Sequence, residues 1–483
     1  MGWREPMAGD DGGLSTFDER LLQGVFARVW RHLGEMDDSS KLVTNSLGPE
    51  QLRAKLNLAI DREGVDIETM LADIDGYLEE AVKTSHPNFM QPLWGGTSVP
   101  AFAGEIITAL TNTSMYTFEM APVASLIEDE IIDTMSTLAG FEAGEGTFTT
   151  GGSNGNLLGL LCARDRKLPD SRREGLSGKQ LVAFVSEEAH YSVEMAANVL
   201  GVGLNNLIMI ECDAGGRLLP DVLAEAIAAE KRAGKQPFCV IATSGTTVRG
   251  AFDPLHEIAD ICHDEHLWLH VDASWGGAAL LSPKTRSLLK GIERADSIAW
   301  DPHKMMGIQI ICSVFLVRDK GTLRRVCRHG ESGHYLLHES STEIDLGRMS
   351  LQCARRVDAV KLWLAWRALG HEGFARRIER YLELSEILEA RVREHPQLEM
   401  ASEREFANVC MRFIGFGLSE AVADSVTDRI RDEILLRGRF MVTKARLDGR
   451  PIIRPVITNP LVDEAVLESL LKEIVEVGND LST

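Results

Sequence analysis

The chain is expected to be an α/β protein built on a mostly parallel sheet, and three observations predict this. From Phe148 onward short β-branched runs alternate with amphipathic helical segments, the pattern of strands joined by helical crossovers. Four of those runs are followed closely by polar or ionisable residues suited to a ligand. Open α/β sheets bind ligands in the crevice beyond the carboxyl ends of their strands. The chain's 483 residues also exceed what one small core organises, so a large domain with at least one further lobe is expected.

Residues 1 to about 14 are rich in Gly and Asp and carry no packing signal. Between Ser15 and Val82 apolar residues recur at helical spacing, as in Leu21-Leu22, Val25-Phe26 and Val29-Trp30, which reads as an arm that packs on a body or a partner. The stretch Ser85-His86-Pro87-Asn88-Phe89-Met90-Gln91-Pro92-Leu93-Trp94-Gly95-Gly96 reads as a loop from its prolines and glycines, with unusually large side chains. Helical patterns resume over Ala101–Thr111 and Ala124–Ala139. Strands are expected at Leu181–Val185, Asn206–Glu211, Phe238–Ala242, Leu267–Val271, Ser297–Trp300 and Ile311–Val317, with helices at about 154–166, 220–233 and 254–265. A long helix at about 349–368 and another over Glu372–Glu394 follow. The end reads as a small α+β lobe, with strands at Asn408–Phe413, Phe440–Lys444 and Ile452–Ile457 and helices around 418–437 and 463–479. The expected division is an arm over 1–85, a large domain over 86–365 and a small one over 366–483.

Composition narrows the function. A net charge of -21 argues against a nucleic-acid partner, since binding a polyanion starts from a basic face. It does not exclude an acidic substrate, because one buried arginine can hold a carboxylate whatever the overall charge. The cysteines Cys162, Cys212, Cys239, Cys262, Cys312, Cys327, Cys353 and Cys410 are scattered without a CxxC pair, as for buried thiols in a reducing compartment. No metal site is expected. The first residues hold no apolar run of signal-peptide type, and no later stretch has the apolar length of a bilayer span, so a cytoplasmic protein without membrane contact is expected.

The chemistry centres on Leu267 to Lys304. The apolar run Leu267-Trp268-Leu269-His270-Val271 ends on Asp272, and Ser297-Ile298-Ala299-Trp300 delivers Asp301-Pro302-His303-Lys304. A carboxylate and a lysine at one sheet edge are the pair that pyridoxal 5'-phosphate requires. The amine holds the cofactor's aldehyde as a Schiff base, and the acid keeps its ring nitrogen protonated. Thr149-Thr150-Gly151-Gly152-Ser153-Asn154-Gly155-Asn156 opens an apolar helix, where small residues let backbone amides approach a phosphate, and Gly152 and Ser153 are the candidates. By itself such a stretch is equally a plain N-cap turn. His190 follows the strand Leu181–Val185 and reads as a cofactor-facing ring or as a satisfied structural histidine. Thr243-Ser244-Gly245-Thr246-Thr247 follows another strand, its hydroxyls facing the crevice or capping the next turn.

These residues resemble the group II pyridoxal-phosphate-dependent amino-acid decarboxylases. The matching blocks are His190-Tyr191-Ser192, Thr243-Ser244-Gly245-Thr246-Thr247, Gly250-Ala251-Phe252-Asp253-Pro254, His270-Val271-Asp272-Ala273-Ser274-Trp275-Gly276-Gly277 and Pro302-His303-Lys304-Met305-Met306-Gly307. Asn112-Thr113-Ser114-Met115-Tyr116-Thr117 and Glu119-Met120-Ala121-Pro122-Val123 resemble the branch acting on acidic amino acids, the glutamate and cysteine sulfinate decarboxylases. The resemblance implies the aspartate-aminotransferase-like fold (fold type I), with a mostly parallel seven-stranded sheet flanked by helices. It also implies a homodimer with active sites at the interface, the arm packing across two subunits. Lys304 would carry the cofactor, Asp272 would face its ring nitrogen, and His190 and Ser274 would lie on the two faces of the ring. Gly152, Ser153 and His303 would hold the phosphate, and Thr247 would sit near the ring. The implied reaction is α-decarboxylation of glutamate, aspartate or cysteine sulfinate to the amine. Arg454, otherwise an ordinary strand-edge arginine, matches the family residue that grips the distal carboxylate.

The chain departs from that pattern in two places. Beside Gln91, Pro92 stands where glutamate decarboxylases offer a glutamine, and Trp94 where they have a small residue. Gln91 and Trp94 are thus expected to shape a shortened substrate pocket. No tyrosine lies between Leu336 and Gly347, where the family often supplies one to protonate Cα, so His338, or His190 through a water, is the expected substitute. The alternatives are decarboxylation of a non-acidic amino acid, of aromatic or diaminobutyrate type, and an oxidative deaminase. A catalytically dead relative is disfavoured by the joint presence of Lys304, Asp272 and His190.

Overall fold

A computed structural model describes residues 14–38, 40–60, 62–328 and 344–482. Among the described residues twelve strands form two sheets. In chain order they are β1 (Phe89–Met90), β2 (Glu145–Thr149), β3 (Leu181–Ser186), β4 (Leu207–Ile210), β5 (Gln236–Thr243), β6 (Trp268–Asp272), β7 (Ser297–Trp300), β8 (Ser313–Val317), β9 (Leu398–Met400), β10 (Met411–Phe413), β11 (Met441–Leu447) and β12 (Arg450–Arg454).

The large sheet has seven strands in the order β2-β8-β7-β6-β5-β3-β4, all parallel except β8, which runs antiparallel to both neighbours. Its central strands are buried on both faces, which is why they read as continuous apolar runs rather than as alternating patterns. The crossover helices show the complementary one-sided pattern. Leu255–Asp264, for instance, buries Leu255, Ile258, Ala259 and Cys262 at i, i+3, i+4 and i+7. Because the parallel strands share one direction, β2, β3, β5, β6 and β7 all finish at the same edge.

The small sheet runs β1-β11-β12-β10-β9. Here the expected loop over Ser85–Gly96 needs correction. Phe89 and Met90 form a strand parallel to Met441 and Val442, so this early segment is stitched into the C-terminal sheet. The Asn459 side chain reinforces the seam by donating to the carbonyls of Ser85 and His86, at 2.9 and 3.0 Å. β2 was not among the expected strands, because Glu145-Gly146-Thr147 lacks an apolar run; pairing with β8 and burial select it instead.

The long helix begins at Ala359, not at 349, and continues to Glu394 with a break at Gly370 (φ 65, ψ 178). Residues 350–358 are non-helical, although their composition allows a helix, and Leu346–Met349 is a single 3-10 turn. The arm contains the helices Thr16–Gly34, Pro49–Lys55 and Ile67–Glu80, the first with no buried residue. Among the described residues no helix is long and apolar enough to cross a membrane, and no cluster of His, Cys, Asp and Glu has metal-binding geometry.

Candidate active site

A cleft of about 330 Å³ opens where the parallel strands end. Its walls include Gly152, Ser153, His190, Thr247, Asp272, Ser274, His303 and Lys304, every cofactor candidate named from the sequence. The strand order explains their meeting. Asp272 closes β6, and the register sets Thr243 of β5 beside it on one flank and Ala299 of β7 on the other. β7 then runs into Asp301 and Lys304, β3 into His190, and β2 into the helix Gly152–Lys167.

The two charges of the site are arranged for a cofactor. Asp272 is buried, accepts from Asn156 Nδ2 at 2.8 Å on Oδ2 and from the Ser274 backbone N–H at 3.1 Å on Oδ1. Burial alone would raise its carboxyl; the Lys304 charge and these hydrogen bonds outweigh burial and hold it below the usual carboxylate range. Lys304 Nζ lies 3.1 Å from Asp301 Oδ2. Asp301 in turn accepts from Ser313 Oγ at 2.5 Å, and His303 Nε2 lies 3.7 Å from its Oδ2. Burial lowers His190 and His303 below the ordinary histidine value, opposed by Asp272 and Asp301 respectively, so both rings favour the neutral form.

The cavity fits pyridoxal 5'-phosphate on three counts. Thr243 Oγ1, on the cleft wall, is buried without a hydrogen-bond partner. The first-turn N–H groups of Gly152 and Ser153 precede the helical ladder, the arrangement that accepts a phosphate. A Cβ at Gly152 would collide with Ser274 Oγ and the Asp301 carboxylate, so the backbone there leaves room that any side chain would fill.

The substrate candidates divide. Trp94 lines the cleft with Pro92 and Leu93, carried there by the β1 seam. Gln91 does not; its Oε1 accepts from Arg431 Nη2 at 3.4 Å, on the side of the C-terminal lobe. Arg454 sits one layer behind the cleft, where its Nη1 donates to the carbonyl of Thr247, itself a wall residue. His338 and residues 337–343 of the expected catalytic loop lie outside the described residues.

Asn156 and Asp301 also line the cleft and carry direct bonds to the site's charges, yet neither was singled out from the sequence. Both were findable by spacing. Asn156 is four residues beyond Gly152 and so on the same helical face, and Asp301 stands three before Lys304.

The chain matches known proteins over most of its length. A sequence model of the pyridoxal-dependent decarboxylase conserved domain matches residues 49–414. The chain is 37% identical to cysteine sulfinic acid decarboxylase of Mus musculus, over 98% of this chain and 100% of that protein. It is 38% identical to acidic amino acid decarboxylase GADL1 of Bos taurus, over 90% of this chain and 85% of that one. The crystal structure of mouse CSAD in apo form superposes with a TM-score of 0.92 at 36% identity, covering 95% of this chain and 98% of that one. The fold is therefore fold type I, and the chain belongs to the pyridoxal-dependent decarboxylase family, as an amino-acid decarboxylase whose cofactor is pyridoxal 5'-phosphate.

Proposed function

We propose that this enzyme removes the α-carboxylate of an acidic L-amino acid, aspartate, cysteine sulfinate or glutamate, and releases the corresponding amine and CO2. The observation that carries the substrate class is Arg454. It is buried, burial and Cys410 rather than any carboxylate govern its charge, and its Nε has no hydrogen-bond partner among the described residues. Burial lowers it to about 10, still cationic at neutral pH. A buried cation without a counter-ion is costly, and a substrate acid entering beside Thr247 would relieve that cost. The cysteine sulfinic acid and acidic amino acid decarboxylases named above support the same class.

Roles for the other residues follow from position and resemblance. Lys304 would hold the cofactor covalently, Gly152, Ser153 and His303 would bind its phosphate, and His190, Ser274 and Thr247 would line the space for its ring. Pyridoxal 5'-phosphate supplies a pyridinium ring that takes up the electron pair left when the bond to the α-carboxylate breaks. Asp272, held ionised, keeps the proton on the ring nitrogen. Trp94 closes the cleft on the substrate side and favours the shorter acids.

The proposal extends to assembly. Leu22, Phe26 and Trp30 form an exposed stripe at i, i+4 and i+8 on the arm helix, which supports a homodimer held partly by the arm. All the cysteines are free, which suits a reducing cytoplasm. We likewise propose that the chain divides into an arm, a large domain and a small domain near residues 85 and 365.

The test is direct. Loaded enzyme is incubated separately with glutamate, aspartate, cysteine sulfinate and 2,4-diaminobutyrate, and the amine and oxygen uptake are measured. An amine from an acidic substrate, no oxygen uptake, and a loss of about a hundredfold in kcat/KM in Arg454→Met are expected. Turnover of 2,4-diaminobutyrate alone, or an Arg454→Met variant of full activity on the acids, would overturn it.

A further inference from the structure

Asn156 is 1% exposed and bonded to three neighbours. Its Nδ2 donates to Asp272 Oδ2 at 2.8 Å and to Ser192 Oγ at 2.9 Å, and its Oδ1 meets His270 Nε2 at 3.0 Å. This amide orientation is dictated by charge. The flipped amide would press its oxygen against an ionised, buried carboxylate.

The proton positions then follow in order. Since Asn156 Oδ1 can only accept, His270 carries its proton on Nε2. Its bare Nδ1 therefore accepts from the Ser297 hydroxyl at 2.9 Å, and Ser297 Oγ accepts from Trp268 Nε1 at 2.9 Å. On the other branch, Ser192 Oγ accepts a hydrogen bond from Asn156 Nδ2, so its own O–H is free to donate to His190 Nδ1 at 2.8 Å. The Ser192 backbone N–H also donates to that nitrogen, at 3.3 Å. Two donors at Nδ1 leave the proton of the neutral ring on Nε2. Ser192, Ser297 and His270 are buried, which keeps the chain of bonds closed to exchange with solvent.

We infer that Asn156 is a positioning residue which, through one amide, holds Asp272 as an acceptor and fixes His190 as its Nε2–H tautomer. The inference rests on the proposed roles of Asp272 and His190, and deepens them: the ring-nitrogen partner and the ring-facing imidazole are set together. Asparagine supplies donor and acceptor from one short side chain. Aspartate at 156 offers acceptors only, and leucine offers neither group.

The test uses cofactor-free protein labelled with 15N at histidine, read by long-range 1H–15N spectra. The native protein is expected to show His190 predominantly as the Nε2–H form. In Asn156→Asp the Ser192 hydroxyl turns toward the new carboxylate, and the Nε2–H to Nδ1–H ratio of His190 falls about tenfold. In the loaded enzyme the same change lowers kcat about tenfold with KM altered less than about twofold. Should Asn156→Asp not fold, Ser192→Ala, which spares the bond to Asp272 and keeps only the backbone N–H at His190 Nδ1, lowers the same ratio by a smaller factor. An unaltered His190 spectrum in a folded Asn156→Asp or Ser192→Ala protein overturns the inference. Failure of the cofactor assignment shows separately, as no cofactor on Lys304 after borohydride reduction, whatever the histidine spectrum.

Discussion

His270 sets a histidine in the centre of the sheet, and burial pushes it down to about 4. Between that value and the unfolded value of about 6.5 the unfolded chain binds a proton that the folded chain does not. Stability therefore falls as pH drops through this window, by about 2 kcal/mol from this residue between pH 7 and pH 5. Asp272 acts lower on the scale: its depressed carboxyl contributes stability above the unfolded value of about 3.9, which is lost as pH falls through the folded value. Asp253, pushed up by burial to about 7, acts in the opposite sense over the same range, so the denaturant midpoint of cofactor-free His270→Gln should fall less, or rise more, from pH 7 to 5 than that of the native protein. An equal slope in the variant would mean that His270 is charged in the folded state. Burial leaves His270 with a single ring proton, and the acceptor Asn156 Oδ1 places that proton on Nε2.

At the scale of the element, the turn from β2 into the helix Gly152–Lys167 brings a helix N-terminus against the lysine and the acid. Gly151, at φ 120, adopts a conformation that side chains disfavour, and Gly152 has no space for a Cβ. Gly152→Ala should displace Ser274 or Asp301, destabilise the protein by about 1–3 kcal/mol and weaken pyridoxal 5'-phosphate binding at least about tenfold. Thermal melting and cofactor titration measure the two effects. Retained affinity would remove the helix start from the phosphate site. Much of this was legible beforehand, since Gly151-Gly152-Ser153 ahead of an apolar helix is a local signal. The β1 strand was not, because Phe89-Met90 is extended only through its partner Met441-Val442, some 350 residues away in sequence.

Over the whole molecule, the arm helix presents Leu22 at 44%, Phe26 at 44% and Trp30 at 73% exposure. Such a stripe is expected to be covered in the proposed dimer. Phe26→Asp combined with Trp30→Asp should shift the protein toward the monomer in light scattering at micromolar concentration and reduce activity with it. A dimer unaffected by both changes would assign the interface elsewhere.

Sequence alone determined the class of sheet, the edge at which the cleft opens, and the lysine, acid and histidine that line it, because buried parallel strands and the residues after them leave local, periodic marks. Only the tertiary structure decided that Gln91 turns to Arg431 while Trp94 lines the cleft, that Arg454 stands behind Thr247, and that Asn156 joins Asp272 to His190. Those outcomes depend on side-chain direction and on contacts between residues far apart in the chain. A hydrogen bond between Asn156 and Asp272, 116 positions apart, has no signature in either segment; it exists because packing excludes water and leaves these polar groups only each other and their buried neighbours as partners.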